Sequence, residues 1–205
     1  PERFLSKQGK FLQTRPMKGT RPRGRNSMQD KKERKDLLLS AKDKAELLMI
    51  TDLERNDLGR VCEYGSIKVK NMRTIETYAS VFQATSTVEG VVKKGADVFD
   101  VLQACFPGGS ITGCPKIRSM QIIEELEPHH RGIYTGALGY ISFNGDMDFN
   151  ILIRTLLKIK NEIYFHVGGG IVSDSTPKRE YEETLVKAQA MKECLEDVFN
   201  AKVIL

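Results

Sequence analysis

The chain has 205 residues, of which 40% are hydrophobic and 29% charged, so it can bury a core and does not resemble a disordered protein. No apolar run approaches the roughly 18–20 residues that span a bilayer, which argues against a membrane-spanning protein and a membrane partner. The formal net charge of +5 is uneven: residues 1–35 hold 12 Lys/Arg and 3 Asp/Glu (+9), and the remainder holds 20 and 24 (−4).

This local basic excess leaves two functions open. A basic arm could bind a polyanion such as nucleic acid, or the cations could line a pocket for a small polycarboxylate. The four cysteines, Cys62, Cys105, Cys114 and Cys194, form no CxxC pair and lack zinc-ligand spacing. We therefore expect reduced thiols in a cytoplasmic protein.

The first predicted elements in chain order are a hairpin and a long helix. Residues 3–14 predict a hairpin that turns at residues 8–10, and residues 15–27, rich in Pro, Gly and Arg, predict a loop. A helix is predicted from about residue 29 to residue 58, with Gly59 as its stop. Its apolar positions recur mostly at steps of three and four residues: Leu38, Leu39, Ala45, Leu48, Met49 and Leu53.

The rest of the chain predicts strands on either side of two helices. Residues 69–92 are strand-like, helices follow in ADVFDVLQACF and PKIRSMQIIEELE, and residues 134–172 predict three or more strands. A last helix is predicted from about residue 177 to residue 199. Together they predict an α+β fold with mainly antiparallel sheets and helices packed outside, in one domain over residues 1–205. A Rossmann fold is disfavoured, because the glycines at 168–170 lack GxGxxG spacing.

Two of the predicted helices carry acidic residues three positions apart. Asp43 and Glu46 share a face of the first long helix, and Glu180 and Glu183 share one on the last, with Lys187 four residues later. Each pair alone is typical of a solvated face. Two such faces could instead meet around Mg²⁺, which prefers oxygen ligands and often takes one or two direct carboxylates. The metal would then offset a repulsion of about 4 kcal/mol between like charges about 4 Å apart.

Two glycine-rich stretches predict sites for a small anion. FPGGSITGCPK places the hydroxyls of Ser110 and Thr112 and the backbone N–H groups of Gly109 and Gly113 before a helix N-terminus, where a carboxylate is favoured. A plain turn with helix caps explains this stretch equally well. The second stretch, VGGGIVSD, would let the backbone approach a ligand closely, because glycine has no Cβ.

Arg154 is a further candidate from residue chemistry alone. It interrupts the apolar run FNILIRTLLKI, which predicts a strand, and buried arginines are rarely left unpaired. A carboxylate bound through two hydrogen bonds is the expected partner.

Five motifs occur in order along the chain: RPMKGTRPRG, SAKDKAELLMITDLERNDLGRV, FPGGSITGCPK, YTGALGYISFNGDMDFNILIRT and GGGIVSDSTPKREYEETLVKAQA. Together they resemble the chorismate-utilising enzymes, and most closely the branch of aminodeoxychorismate synthase component I, over about residues 1–190. The resemblance implies the α+β fold of that family. It also implies further strands upstream of Pro1, where the sequence begins without Met.

The resemblance implies roles for the acidic pairs. Glu46 and Glu183 match glutamates that ligate Mg²⁺ directly, and Asp43 and Glu180 match positions that hold its water shell. Lys187, beside this set, is added to the candidate catalytic residues. Mg²⁺ is therefore the expected cofactor.

The resemblance also implies a substrate-binding set for chorismate. Tyr134 and Arg154 match a pair that grips one of its carboxylates. Gly168 and Gly170 match positions that supply backbone contacts, and Ser110 matches one that lies over the ring.

Lys18 is the position at which the branches of this family differ. Members that make anthranilate resemble the motif with alanine in its place and add ammonia directly at ring C2. The lysine of aminodeoxychorismate synthases is similar to a covalent catalyst: its amine adds at C2 and expels the C4 hydroxyl, then ammonia adds at C4 and expels the lysine. An amine nucleophile must be neutral, and we expect Arg15, Arg21 and Arg23 to favour that form. Thr20 joins the substrate-binding set.

Gln83 departs from the family pattern. Many relatives have a histidine there, which is proposed to help the C4 hydroxyl leave. An amide donates a hydrogen bond but does not titrate near neutrality. Gln83 is kept as a candidate catalytic residue, and two explanations stay open: the acid comes from another residue, or Mg²⁺, Lys18 and hydrogen bonding suffice.

The resemblance thus implies the subunit that converts chorismate and ammonia to 4-amino-4-deoxychorismate, on the route to p-aminobenzoate and folate. A separate glutamine amidotransferase subunit is expected to supply the ammonia, because the chain has no nucleophilic-cysteine signature. The alternatives are anthranilate synthase component I and an isochorismate-forming relative. From another class, a nucleic-acid-binding module using residues 15–35 would bind in a salt-sensitive way without Glu46 or Glu183. We do not expect nucleic acid as a partner.

Overall fold

The structure is a computed structural model and describes residues 2–199. These residues form two compact units. The large unit comprises Glu2–Pro128 and Ala137–Ile151, and the small unit comprises His129–Gly136 and residues 152–199. The prediction of one domain over residues 1–205 also includes Pro1 and residues 200–205, which lie outside the described residues.

Among the described residues of the large unit, seven strands form one sheet. They are β1 (Glu2–Gln8), β2 (Phe11–Arg15), β3 (Met17–Pro22), β4 (Lys68–Thr77), β5 (Val81–Val91), β6 (Ala137–Ile141) and β7 (Met147–Ile151). The long strand β5 pairs with β4 along one side and with β3 and β2 along the other, and β1, β7 and β6 continue outward from β2. Every described strand pair is antiparallel, which confirms the predicted fold class.

The hairpin prediction is confirmed, whereas the loop prediction after it is wrong in part. β1 and β2 pair on either side of Gly9, whose φ of 56° suits glycine. Residues 17–22 of the expected loop form β3, which pairs with β5 and ends where Pro22 lies opposite Val81. Proline is tolerated at such an outer strand end, and pairing with β5 outweighs the local Pro and Gly signal.

The prediction of one helix from residue 29 to residue 58 is also wrong, because Ser40 interrupts it. The chain instead forms α1 (Ser27–Leu39) and α2 (Ala41–Val61). Ser40 adopts an extended conformation with ψ of 111°, and its hydroxyl accepts a hydrogen bond from the backbone N–H of Asp43 at 3.2 Å. Serine is a favoured N-cap for this reason. The cap places Asp43 and Glu46 in the first two turns of α2.

A buried cluster joins these helices to the sheet. It consists of one residue from each helix and two from β5: Leu37, Leu47, Phe82 and Ala84. Burying a large apolar side chain contributes about 1.5–3 kcal/mol to folding. The cluster therefore holds the start of α2 against the half of β5 that pairs with β3.

Two further helices of the large unit confirm the predicted pair: α3 (Val98–Cys105) and α4 (Lys116–Leu126). Pro115 is the N-cap of α4. A single 3₁₀ turn, Gly109–Ile111, lies in the glycine-rich stretch between the two helices.

The small unit contains the rest of the predicted elements. A hairpin of β8 (Leu157–Ile159) and β9 (Glu162–Tyr164) precedes α5 (Pro177–Phe199), which matches the predicted last helix. The buried residues of α5 follow a helical spacing: Glu180, Ala188, Met191 and Leu195. Glu180 is the charged member of this inward face.

Two predictions from composition can be compared with the structure. No helix within residues 2–199 is long and apolar enough to cross a membrane. All four cysteines fall within the same residues and are free, as expected.

Candidate active site

A close backbone approach determines where Lys18 lies. Gly19 has a φ of 87°, and a Cβ added to it would lie 2.8 Å from Leu37 Cδ1 and 2.9 Å from Asp43 Cγ. Both observations require glycine, because a side chain would be strained and would clash. The Lys18–Gly19–Thr20 backbone can therefore pack directly against the N-terminal turn of α2.

Lys18 and Glu46, which the sequence selected separately, are in contact. The Lys18 Nζ lies 3.3 Å from Glu46 Oε2, and the Lys42 Nζ lies 3.7 Å from Glu46 Oε1. The Lys18 and Glu46 side chains are largely buried, whereas Lys42 is exposed. Lys18 must leave this ion pair and lose its proton before its amine can attack an electrophile.

The arginines near Lys18 are not the unpaired cations that the sequence led us to expect. Each guanidinium has its own carboxylate partner: Arg15 with Glu76, Arg21 with Asp43 at 3.0 Å, and Arg23 with Asp30 at 2.8 Å. Their charge is therefore largely compensated, and their effect on the Lys18 amine stays a prediction. The same pairing weighs against a basic arm that binds nucleic acid through these residues.

Gln83 and Thr20 lie opposite each other on two neighbouring strands. They are register partners on β5 and β3, and the Gln83 Nε2 donates a hydrogen bond to Thr20 Oγ1 at 3.4 Å. Thr20 is two residues from Lys18. The structure thus places these three candidates on one patch of the large unit.

Glu2 belongs to the same patch, although we did not select it from the sequence. Its side chain is buried, and burial raises its pKa to about 7, against the opposing effects of the Ser110 hydroxyl and the Lys18 charge. Within the described residues, Ser110 Oγ and Glu2 Oε1 have no hydrogen-bond partner of ordinary geometry, so the Ser110 contact is a weak one. A carboxyl with this pKa can hold a proton near neutrality, which Gln83 cannot.

Glu2 adjoins further buried carboxyls on α2. Burial and the charge of Glu2 raise the pKa of Glu54 well above its ordinary value, although Glu54 Oε2 accepts a hydrogen bond from Thr14 Oγ1 at 2.7 Å. Burial also raises the pKa of Asp57, whose Oδ2 lies 2.7 Å from the Lys116 Nζ. The motif TDLERNDLGRV looked like an ordinary helix, and no sequence signal distinguished these acids from surface ones.

The glycine-rich loop that was predicted to bind an anion packs tightly against α2. A Cβ added to Gly109 would lie 2.7 Å from Leu53 Cδ2, so glycine is required there. The Thr112 hydroxyl donates to the backbone carbonyl of Gly108 at 2.9 Å and therefore stabilises the loop itself. The expectation that Thr112 faces an anion is thus wrong, whereas Ser110 lies beside Glu2.

In the small unit, Gly168, which was predicted to let the backbone approach a ligand, lies close to the side chain of Tyr134. A Cβ added to Gly168 would lie 2.7 Å from Tyr134 Oη, so only glycine permits this approach. The ring of His166, which we did not select from the sequence, stacks on Tyr134 with centroids 5.4 Å apart. Gly170 follows in the same irregular segment and is exposed.

Lys187 joins α5 to this glycine segment. Its Nζ donates to the Gly168 carbonyl at 2.9 Å and lies 2.6 Å from Glu183 Oε1. Lys187 is thus more than a partner in a surface i,i+4 pair, because it also fixes the backbone at Gly168.

Arg154 differs from its prediction. It lies outside any strand, between β7 and β8, with a φ of 53°, and its side chain is exposed. Among the residues that the structure describes, Arg154 forms no ion pair. The backbone N–H of Thr135, which also has a positive φ of 65°, bonds to the Leu152 carbonyl at 2.9 Å. This bond brings the segments that carry Tyr134 and Arg154 side by side, and positive φ values at two non-glycine residues are typical of functional sites.

Residues 1–193 match the family described as "chorismate binding enzyme". The chain belongs to this family. It is 48% identical to the aminodeoxychorismate synthase component 1 of Bacillus subtilis (strain 168), over 96% of this chain and 42% of that protein. It is also 48% identical to the anthranilate synthase component 1 of Aquifex aeolicus (strain VF5), over 96% of this chain and 40% of that protein.

The fold of this chain is also found in a solved structure. Anthranilate synthase component I from Streptococcus pneumoniae TIGR4 superposes with a TM-score of 0.82 and 39% identity, over 93% of this chain and 42% of that one. The chain thus spans about two fifths of the length of the relatives it matches. Relatives with two different names are equally identical to it, so the comparisons do not select between the activities that these names describe.

The acidic pairs provide the donor atoms that Mg²⁺ prefers. Glu180 Oε1 accepts a hydrogen bond from Ser175 at 2.6 Å, whereas its Oε2 is buried and has no partner within residues 2–199. An orphaned carboxylate oxygen of this kind suits a cation or a water molecule bound to one. Glu180 therefore fits a position beside a hard cation, whereas Glu183 is in contact with Lys187.

The two pairs belong to different units, with Asp43 and Glu46 in the large one and Glu180 and Glu183 in the small one. No group of three or more His, Cys, Asp or Glu side chains in the described part of the chain is arranged to hold a metal. Arg21, Lys18 and Lys187 also offset the charges within the pairs, which differs from the expectation that a metal is needed for this purpose. A single site lined by all four carboxylates stays a prediction.

The buried acids make a prediction for stability. Because the folded pKa values of Glu2 and Glu54 are raised, their contribution to folding is complete below about pH 4.5 and is lost as the pH rises through the folded values. Replacing Glu54 with Gln is expected to reduce the loss of stability between about pH 5 and pH 8. Denaturant unfolding at both pH values measures it, with exposed Glu63→Gln as the control. If the free energy of unfolding of Glu54→Gln depended on pH as in the wild type, folding would not raise the pKa of Glu54 and the prediction would be wrong.

Proposed function

We propose that the chain is the chorismate-binding catalytic part of an aminodeoxychorismate synthase component I. The observation that supports this proposal most directly is the setting of Lys18. This lysine lies in β3 beside the tightly packed Gly19, is largely buried, lies 3.3 Å from Glu46 and is electrostatically coupled to the buried acid Glu2. A solvated structural cation needs none of these features. Burial and a neighbouring acid suit a nucleophile that must be held in one place for its reaction.

The proposed reaction uses Lys18 as the nucleophile and Glu2 as the acid. The amine of Lys18 forms a bond to ring C2 of chorismate, the ring double bond shifts, and the bond from C4 to its hydroxyl breaks. The hydroxyl takes a proton from Glu2 and leaves as water. Ammonia then bonds to C4, the double bond shifts back, and the bond between C2 and Lys18 breaks, which restores the amine and, through the proton lost from ammonia, the acid.

Glu2 is our candidate for the titratable acid that Gln83 cannot replace. The Gln83 amide donates to Thr20, so its proposed role is to hold the strand surface beside Lys18, and the titratable proton comes from Glu2 instead. Mg²⁺ bound by the acidic pairs would supply positive charge for a carboxylate of chorismate.

The small unit carries residues that we propose bind chorismate. Tyr134 and the Gly168 backbone are in close contact, Lys187 fixes that backbone, and the exposed guanidinium of Arg154 is offered to a carboxylate. A cytoplasmic location and ammonia from a separate glutamine amidotransferase subunit complete the proposal.

Replacing Arg154 with Lys tests the carboxylate grip. A lysine keeps the charge but not the planar fork that donates two hydrogen bonds, so KM for chorismate is expected to rise roughly 10-fold or more. Steady-state kinetics measures this, with Arg118→Lys as the control because Arg118 forms only exposed contacts on α4. If kcat/KM for chorismate stayed at the wild-type value, Arg154 would not be a substrate ligand.

The function itself is tested by identifying the product. The protein, in its full natural length, is incubated with chorismate, Mg²⁺ and an ammonium salt, and the products are separated and weighed by mass spectrometry. We expect 4-amino-4-deoxychorismate, and we expect none with glutamine as the sole nitrogen source or with EDTA. Anthranilate or isochorismate as the main product would refute the assignment. Salt-sensitive nucleic-acid binding without turnover of chorismate would instead support the nucleic-acid-binding module.

A further inference from the structure

Lys116, the first residue of α4, makes an unusually complete set of contacts. Its Nζ lies 2.7 Å from Asp57 Oδ2, 2.8 Å from the Pro107 carbonyl oxygen and 3.2 Å from the Cys105 carbonyl oxygen. A lysine ammonium has three N–H donors and no acceptor. Each donor of Lys116 therefore has its own acceptor.

These contacts are largely shielded from water. The side chain of Lys116 is 13% exposed and that of Asp57 is 3% exposed. A buried ammonium is strongly destabilising unless it is paired and fully hydrogen-bonded, and both conditions are met here. The site therefore selects a compact cation with three donors, which a methionine of similar length cannot replace.

The acceptors connect separate parts of the large unit. Asp57 is near the C-terminal end of α2, Cys105 ends α3, and Pro107 begins the glycine-rich loop. Lys116 is itself the residue at which that loop ends and α4 starts. One ammonium group thus joins both ends of the loop to α2.

The loop held in this way carries Ser110. The adjoining Gly109 packs on Leu53 of α2, one turn before Asp57, and Ser110 lies beside the acid Glu2. A displacement of the loop would therefore move Ser110 relative to Glu2. It would also change the surface that, under the proposed function, lies over the ring of chorismate.

We propose that Lys116 is a positioning residue that fixes the Gly108–Ile111 turn so that Ser110 is held at the substrate. This inference rests on the proposed function for its substrate, but the anchoring of the loop can be measured independently. The role differs from a general stabilising one, because it predicts an effect on chorismate binding that persists when the buried charge is removed.

Two variants separate these roles. Lys116→Met leaves Asp57 buried without its partner, so it is expected to be less stable and risks failing to fold. The double variant Asp57→Asn with Lys116→Met removes that charge but does not restore the bonds to the Cys105 and Pro107 carbonyls. Lys70→Met is the matched control, since Lys70 also forms an ion pair, with Glu89 at 3.0 Å, but on the exposed surface of β4.

In the double variant, hydrogen–deuterium exchange at residues 106–113 is expected to accelerate about 10-fold or more, because two bonds to a charged group are lost. KM for chorismate is expected to rise about 10-fold. We expect kcat to change less than about threefold, because Lys18 lies on β3 and Glu2 on β1, outside the loop. Lys70→Met should match the wild type in both measurements.

The outcomes are distinct. If the double variant has wild-type exchange in the loop, Lys116 only compensates Asp57 and the inference is wrong. If exchange is faster but KM is unchanged, Lys116 anchors the loop without positioning Ser110 at the substrate, and the inference is again wrong. If the wild type itself does not bind chorismate, the proposed function fails, whereas the exchange measurement still shows whether Lys116 anchors the loop.

Discussion

Replacing Lys18 with alanine is expected to reduce formation of 4-amino-4-deoxychorismate by roughly 100-fold or more. The substitution removes the amine that bonds to C2, so the covalent route is closed. Glu2, the acidic pairs and the carboxylate grip keep their side chains, so chorismate affinity should change by no more than a few fold. Direct attack of ammonia at C2, with loss of the C4 hydroxyl as water, can then yield the isomer that carries the amino group at C2 as a minor product. Steady-state kinetics with product identification, together with calorimetric titration of chorismate, measures both effects.

The chain offers a matched control for this substitution. Lys42 also contacts Glu46, at 3.7 Å, but from an exposed position on α2. Lys42→Ala removes the same charge from beside the same carboxylate and is expected to change turnover by less than about threefold. A large loss in Lys42→Ala as well would mean that Glu46 needs compensating charge and that Lys18 has no special chemistry.

A covalent intermediate provides the direct test. The wild-type protein is incubated with chorismate and Mg²⁺ in the absence of ammonia, and intact mass spectrometry with peptide mapping locates any adduct. We expect an adduct on the peptide that contains Lys18 and none in Lys18→Ala. Absence of the adduct combined with near-normal turnover in Lys18→Ala would reduce Lys18 to one more cation of a basic segment.

The structure also shows which features the sequence could and could not predict. Hairpins, strands and α5 followed from alternation, turn residues and helical spacing, because these signals are local. The break at Ser40 was also readable in principle, since Ser-Ala-Lys-Asp has the pattern of a helix cap. The continuous apolar spacing across it was misleading. Four residues of that predicted apolar face are exposed: Leu38, Leu39, Leu48 and Met49.

The candidate site shows a similar division. Lys18, Glu46, Tyr134 and Gly168 were selected from motifs, and the structure brings Lys18 to Glu46 and Gly168 to Tyr134. The sequence could not predict how buried each side chain is. A buried glutamate and a solvated one look the same in the sequence, because burial depends on strands and helices that meet from distant parts of the chain.

Glu2 is the clearest example of such a residue, and replacing it has the second large expected effect. Glu2→Gln keeps the size and the polarity of the side chain but cannot give a proton to the leaving hydroxyl. General acid catalysis typically contributes 10²–10⁴-fold, so kcat is expected to fall by roughly that factor, with a smaller change in KM. Steady-state kinetics with chorismate and saturating ammonium measures the loss.

The pH dependence identifies Glu2 as the acid more sharply than the size of the loss. Because burial raises the pKa of Glu2 to about 7, its active protonated form predominates below that value and is lost above it. Wild-type kcat/KM should therefore fall as the pH rises through about 7, and the residual kcat/KM of Glu2→Gln should lack this fall.

Glu54→Gln serves as the matched control for Glu2, since it removes a neighbouring buried carboxyl that accepts from Thr14 and has no described contact with Ser110 or Lys18. It should retain most of kcat and the alkaline fall. If Glu2→Gln kept the alkaline fall, or if both variants lost the same activity, the proton would come from another group, and Mg²⁺ with Lys18 would have to expel the hydroxyl without Glu2.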